Sequence, residues 1–208
     1  MKFAILTSVV LFGFIIQRAI RRSNHMTEKE KREFWEREAR AEHTPPSSIE
    51  NLKWIHFPEK LPLDIKCSSS KAKSLEDTLS SLKGKQIVDL SSYSNTELKL
   101  TYGTENITIL SKADSNYLVL MRTLDSLAEI YKKEGFDDEN AALLQFAVDS
   151  GSESVQHFEE LAEYYFQHEN IKALRHMQEL SQDLPNNRQA AVSSKLDGYL
   201  NLMEIFND

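Results

Sequence analysis

Histidine, cysteine and clustered acidic residues are the side chains of this sequence that could carry metal or catalytic chemistry. No two of the six histidines stand four residues apart, the spacing that places two imidazoles on one face of a helix around zinc. Cys67 lies in a stretch rich in proline and serine and has no metal-binding neighbour. The run Asp137-Asp138-Glu139 lacks the alternating acids and the glycine of a calcium loop, so helix capping explains it.

Other sequence motifs typical of enzymes and of binding sites for phosphate or nucleic acid are also missing. No two glycines stand close enough together for a phosphate-binding loop. We therefore expect no enzyme activity, no metal, no cofactor and no small-molecule substrate. The net charge of −7 argues against nucleic-acid binding, which needs a basic surface. A single cysteine excludes an intramolecular disulfide framework.

One pattern returns at a fixed interval in the C-terminal half. Leu127-Ala128-x-x-Tyr131 reappears as Leu161-Ala162-x-x-Tyr165, and Tyr199 follows at the same period of 34 residues. Small residues at these helical offsets let a paired helix approach closely, and the tyrosines fill the adjoining space. The pattern resembles the tetratricopeptide repeat, a helix-turn-helix unit that stacks on copies of itself. A helical hairpin bundle with a coincidental period is the alternative.

The resemblance covers about residues 117–208, and it weakens along the chain. In the second unit Glu169 replaces the glycine of the turn, Leu174 stands where alanine is usual, and Pro185 comes one residue early. The third copy keeps only Tyr199, so we expect a cap helix there. This helix is predicted to bury Val192, Leu196, Tyr199, Leu202 and Phe206.

The resemblance also implies a binding groove, because the first helix of each unit lines a concave face in this family. The matching positions are Arg122, Asp125, Glu129, Lys132, Glu159, Glu163 and Phe166. Family members that clamp a peptide's terminal carboxylate use lysine and asparagine where this chain has acids, namely at Asp125, Glu129, Glu159 and Glu163. We therefore predict a basic or amphipathic protein segment as ligand. A solvated acidic face without a ligand is the alternative.

The N-terminus carries the signal of a membrane anchor. Residues 3–17 are almost entirely apolar, and Arg18, Arg21 and Arg22 follow at once. We expect an uncleaved span over residues 3–20, because no small-residue cleavage site follows it. More positive charge lies after the segment than before it, so the positive-inside rule predicts a single-pass protein of the cell membrane with a cytoplasmic body.

Charge, proline and cap patterns divide the rest of the chain. From Thr27 to Glu42, charges of both signs alternate, and only Phe34 and Trp35 are large and apolar, which fits a helix that touches headgroups or a solvated spacer. Four prolines then predict an extended linker that buries Trp54 and Phe57, with residues 68–73 as a tether. Helix starts are predicted at Ser74, at Ser94 with Glu97 in a capping box, and at Asp114 or Ser115. Gly103 is predicted to end the helix that begins at Ser94.

Together these patterns predict an all-α protein with four parts. The parts are an anchor with a basic flank (1–22), a charged helix (23–42), a linker (43–73) and a helical domain (74–208) with hairpins at 115–150 and 154–184 and a cap helix at 188–206. The runs Phe34-Trp35-Glu36-Arg37-Glu38-Ala39-Arg40 and Tyr93-Ser94-Asn95-Thr96-Glu97-Leu98-Lys99-Leu100 also resemble an uncharacterised group of short membrane-anchored proteins from anaerobic Gram-positive bacteria.

Two roles are compatible with this layout. One is a membrane-tethered protein-interaction module, an adaptor or scaffold that holds a partner near the bilayer. The other is a structural accessory subunit that stays buried in a membrane or envelope assembly and has no releasable ligand. Neither role involves catalysis by this protein.

Overall fold

The computed structural model describes residues 28–207, and all regular structure within them is helical. The all-α prediction is confirmed for this part of the chain. The helices are α1 (Glu28–Glu42), α2 (Ser70–Leu82), α3 (Asn95–Tyr102), α4 (Ile107–Glu134), α5 (Asp137–Asp149), α6 (Val155–Gln167), α7 (Ile171–Leu180) and α8 (Asn186–Asn207), with single 3-10 turns at Thr104–Asn106 and Ser181–Asp183.

The predicted anchor, residues 3–20, lies outside the described residues. Within residues 28–207, no helix is both long enough and apolar enough to cross a bilayer.

The described chain divides into two compact units, and the smaller one consists of residues 28–49 and 93–107. In it, α1 packs on α3 through polar pairs: the Arg37 guanidinium lies 3.4 Å from a Glu97 carboxylate oxygen, and Lys99 pairs with Glu42. The predicted capping box is present, because the Ser94 hydroxyl and the Glu97 carboxylate each accept the other's backbone N–H. Trp35 stays 67% exposed.

Gly103 ends α3, as its position in the sequence predicts. Its φ of +80° is unfavourable for any residue with a side chain. A Cβ at this position would lie 2.6 Å from the Pro45 carbonyl oxygen, which no backbone can accommodate without moving. Glycine is therefore required where the chain after α1 passes the end of α3.

The larger unit, residues 50–92 and 108–207, contains the hydrophobic core. The chain that precedes α2 in this unit forms an extended segment on the helices. The Phe57 ring packs 5.1 Å from that of Phe146, and the Ile55 N–H donates to the Ile87 carbonyl at 2.9 Å. Trp54 is partly buried. The segment therefore lies on the helical body over its apolar stretch, as the sequence predicts.

The predicted tether at residues 68–73 is wrong, because α2 begins at Ser70 rather than at Ser74. The Glu134 carboxylate accepts the backbone N–H groups of Ser68 at 2.8 Å and Ser69 at 3.1 Å. These bonds lower the pKa of Glu134 and hold the chain at the N-terminus of α2. The capping group comes from α4, so the local sequence gave no sign of it.

Helix α4 also begins earlier than predicted. It starts at Ile107 and runs without a break past Asp114, which instead accepts the N–H of Leu90 at 3.1 Å. Leu110 and Ala113 are buried and continue the apolar spacing of the later turns, so the helix has no reason to stop.

The turns after α4 and α6 have the same geometry. After α4, Gly135 has a φ of +81°, and the N–H of the next residue donates to the Tyr131 carbonyl at 2.9 Å. After α6, Glu169 has a φ of +53°, and the N–H of the next residue donates to the Tyr165 carbonyl at 2.8 Å. Both turns are the glycine-type helix ending, and the second adopts it with a glutamate in the strained position.

Helix α8 buries Val192 and Leu196 as predicted, and its buried face departs from the predicted one further along the helix. Val192, Leu196, Leu200 and Met203 are buried, whereas Leu202 is 44% exposed. The prediction for Leu202 is therefore wrong. The apolar spacing of four, four and three residues continues the buried face to Met203, and position 202 lies off that face.

We predict that Glu169→Gly raises the free energy of unfolding by about 0.5–1 kcal/mol, because glycine removes the left-handed strain and loses only part of that gain to its flexible unfolded state. Urea denaturation measures the effect. The matched control is Glu163→Gly, in an exposed turn of α6, where glycine should cost about 1 kcal/mol. Equal losses in both variants would contradict the strained turn.

We also predict that the stabilising effect of Glu134 depends on pH. Its folded pKa is lower than the reference value of 4.5, so its contribution is present above pH 4.5 and is lost as the pH falls through the folded pKa. Glu134→Gln should therefore lower the urea midpoint at pH 7, and its difference from the parent protein should shrink as the pH falls below 4.5. A pH-independent difference would exclude the charged cap.

Candidate functional site

The predicted groove residues of α4 lie on one exposed stripe of that helix. Arg122, Asp125, Glu129 and Lys132 alternate at spacings of three and four residues, and Leu118, 49% exposed, extends the stripe by one turn. This spacing keeps all five side chains on the same face of the helix. The face is therefore polar with one apolar end.

A cleft of about 720 Å³ opens beside this stripe, between α4 and the first half of α6. Three of the predicted residues line it, namely Asp125, Glu129 and Lys132. The other lining residues are Ala128, Lys133, Leu144, Ser154, Gln156, His157 and Glu160.

The predicted residues of α6 face elsewhere. Glu159 lies 3.4 Å from the Lys195 ammonium of α8, and the Phe166 ring lies 4.8 Å from that of Tyr199, also on α8. Glu163 is exposed, and it does not line the cleft. The structure therefore brings the α4 half of the predicted groove into one cleft and uses most of the α6 half to contact α8.

Both charge signs occur in the cleft. Lys133 donates to Glu129 at 2.6 Å, and this bond and its charge lower the pKa of Glu129. Across the cleft, Lys132 lies 3.0 Å from Glu160. Burial raises the pKa of Glu160, but the bonds from Gln156 and Lys132 outweigh it, so this pKa is also lowered. The carboxylates are charged at neutral pH, and two lysines stand among them.

Three side chains that the sequence analysis did not connect meet at the end of the cleft. The Ser152 hydroxyl lies 2.8 Å from His157 Nδ1, and His157 Nε2 lies 3.0 Å from an Asp125 carboxylate oxygen. Ser152 and His157 are buried, whereas the Asp125 side chain is 53% exposed. The imidazole thus joins the loop before α6 to the exposed stripe of α4.

Hydrogen-bond directions assign the proton positions in this cluster. The Asp125 carboxylate can only accept, so Nε2 of His157 donates to it; Nδ1 of the neutral imidazole then accepts from the Ser152 hydroxyl, whose oxygen also accepts the Ser154 N–H at 3.3 Å. The neutral imidazole then carries its proton on Nε2 and donates it to Asp125. The Ser152, His157 and Asp125 side chains are arranged as in the Ser-His-Asp triad of hydrolases, but here the serine oxygen accepts a hydrogen bond from a backbone N–H. We interpret the cluster as a clamp that positions Asp125 at the mouth of the cleft.

Local sequence could not show this cluster, because its parts come from α4 and from a loop that follows the next helix. The spacing of Ser152 and His157 around a helix start was the one available signal. Cys67 takes no part in the cleft, and burial together with nearby carboxylates raises the pKa of its thiol, which disfavours the nucleophilic thiolate.

Among the residues that the structure describes, no cluster of three or more histidine, cysteine, aspartate or glutamate side chains could hold a metal ion. The chain matches no protein-family model, no curated protein and no solved structure.

We predict that Asp125→Ala lowers the free energy of unfolding by about 1 kcal/mol, because His157 loses its acceptor. Asp125→Asn should cost less than half as much, since an amide oxygen still accepts from Nε2. Glu163→Ala, an exposed acid outside the clamp, should stay within about 0.5 kcal/mol of the parent protein. Urea denaturation measures all three, and equal losses for Ala and Asn at position 125 would contradict the clamp.

Proposed function

We propose that this protein is a membrane-tethered interaction module of tetratricopeptide type that binds a basic or amphipathic segment of a partner protein. Its helical body would stand in the cytoplasm, with residues 3–20 in the cell membrane. Binding would occur along the exposed stripe of α4 and the adjoining cleft. The observation that carries the proposal is this cleft, because it presents charged carboxylates from two helices on an accessible surface.

The repeated geometry supports the tetratricopeptide assignment. Leu127 and Leu161 are both fully buried, and Ala128 and Ala162 are 4% and 1% exposed. Each pair is separated by the period of 34 residues that also separates the helix endings at Gly135 and Glu169, and α5 ends at Gly151 with the same geometry. Buried small residues at equivalent helix positions are what close packing of repeated helix pairs requires.

The charges of the cleft define the kind of partner. Asp125, Glu129 and Glu160 are the carboxylates of its lining, and Lys132 and Lys133 separate them. A partner segment with basic residues at helical spacing could pair with the acids while its apolar side contacts Leu118. An acidic tail would meet repulsion from three carboxylates, so the ligand class predicted from the sequence is retained.

The membrane part of the proposal comes from the sequence alone. An apolar run followed directly by three arginines favours a span whose C-terminal side faces the cytoplasm. Retention of the full-length protein in the pellet after carbonate extraction, and its loss when residues 2–22 are deleted, would test the tether.

A structural accessory subunit is the second candidate, and exposed apolar side chains favour it. Ile109, Leu118 and Val119 on α4 are each 42–49% exposed, and Ile205 on α8 is 70% exposed. A permanent partner could cover these surfaces. The two candidates differ in salt dependence, because pairing with a basic segment weakens as ionic strength rises and apolar burial does not.

Crosslinking and affinity capture from intact membranes test the groove. Glu129→Lys with Glu163→Lys reverses one carboxylate of the cleft lining and one exposed acid of the predicted groove outside the cleft, and leaves the Asp125 clamp and the Glu159–Lys195 pair intact. We predict at least about a tenfold loss of captured basic partner, an effect that rises as salt is lowered.

The matched control is Glu179→Lys, which reverses an exposed charge on α7 away from the cleft. It should leave capture unchanged, and circular dichroism should show the same helix content in all variants. An unchanged partner list in the double variant would exclude the groove and leave the accessory-subunit role.

A further inference from the structure

A second cleft, of about 750 Å³, lies between the extended segment around Trp54 and the C-terminal ends of α5 and α7. Its apolar lining comes largely from buried core side chains, so an occupant would contact the hydrophobic core directly. The buried residues are Phe146, Val148, Phe158 and Leu184, and the partly buried Leu180 lies beside them. A volume of this size is in the usual range of small-molecule sites.

The polar lining of this cleft is mainly acidic. The four carboxylates come from separate parts of the larger unit, and they are Asp89, Asp149, Glu153 and Asp183. Glu153 forms an ion pair with Arg188, and Asp149 accepts from Gln145 at 2.6 Å and lies 3.6 Å from His176. Lys53 is the basic residue of the lining besides His56. An excess of negative charge therefore stands above an apolar floor.

One lining residue has an unusual environment. Ser150 is 6% exposed, and its hydroxyl has no hydrogen-bond partner among the described residues. A buried hydroxyl without a partner costs free energy, and such groups in native structures call for an explanation. A ligand donor or acceptor at this end of the cleft would remove that cost.

We propose that this cleft binds a small organic cation with an apolar body, such as an arylalkylamine. The apolar body would lie on the floor formed by Phe146 and Leu180, and the ammonium would pair with Asp149 and Asp183. A neutral molecule of the same shape gains only the apolar contact, and an anion meets the carboxylates unfavourably. The site is separate from the α4 stripe, so it does not depend on the proposed interaction role.

The test is a titration of the full-length protein in nonionic detergent with three molecules of similar shape: phenethylamine, 2-phenylethanol and 3-phenylpropionate. Trp35→Phe leaves Trp54, which lines the cleft, as the single tryptophan and reporter. We expect phenethylamine to bind at least about fivefold more tightly than the alcohol, and the carboxylate to bind most weakly. A titration of each molecule into detergent without protein corrects for its partitioning into the micelles.

The charge contribution is isolated with Asp149→Asn combined with Asp183→Asn. This variant should weaken phenethylamine binding to the level of the alcohol and leave the alcohol unaffected. Glu179→Gln, an exposed acid on α7 outside the cleft, and the groove variant at positions 129 and 163 should bind phenethylamine as the parent does. Equal binding of amine and alcohol, full retention in the Asp149/Asp183 variant, or no response up to about 10 mM would overturn the proposal.

Discussion

A buried carboxylate joins three segments of the larger unit. Glu76 of α2 is 2% exposed; its Oε1 accepts the Tyr131 hydroxyl of α4 at 2.7 Å and the Ile65 N–H of the extended segment at 3.2 Å. Burial and this carboxylate raise the pKa of Tyr131, so the phenol stays a donor. The other oxygen, Oε2, accepts no hydrogen bond from residues 28–207, and the Lys73 ammonium is 4.0 Å away. Such a group is costly without its partners, so α2, α4 and the extended segment must come together as one arrangement.

The exposed stripe of α4 depends on this arrangement, because the core-facing side of the same helix carries Tyr131 and the buried leucines. Packing fixes the rotation of α4, and that rotation sets which residues reach solvent. The clamp through His157 then fixes the neighbouring start of α6 against Asp125. A polar surface between two helices is thus positioned by the apolar contacts behind it.

Features of this fold that depend on neighbouring residues were predictable from the sequence. The capping box at Ser94, the glycine stop at Gly103 and the helical class all follow from residues within a few positions of one another. Prediction failed where a residue distant in sequence determines the local structure. One case is the start of α2, which Glu134 of α4 caps, and another is the clamp, in which Ser152, His157 of α6 and Asp125 of α4 meet. The exposed stripe of α4 was predictable from the periodicity of one helix. The orientation of Glu159 and Phe166 on α6 depends instead on how α8 packs, which local sequence could not indicate.

The smaller unit is made from two stretches of chain, with residues 50–92 of the larger unit between them. The contacts of α1 with α3 therefore join distant residues, as in the Arg37–Glu97 pair, whose members are 60 positions apart. Closing such a loop costs entropy before any contact compensates for it, so this unit cannot assemble early on local interactions alone. During synthesis α1 must wait, exposed and highly charged, until α3 has left the ribosome. Its polar composition keeps that waiting segment from aggregating, because a charged helix offers little apolar surface to other chains.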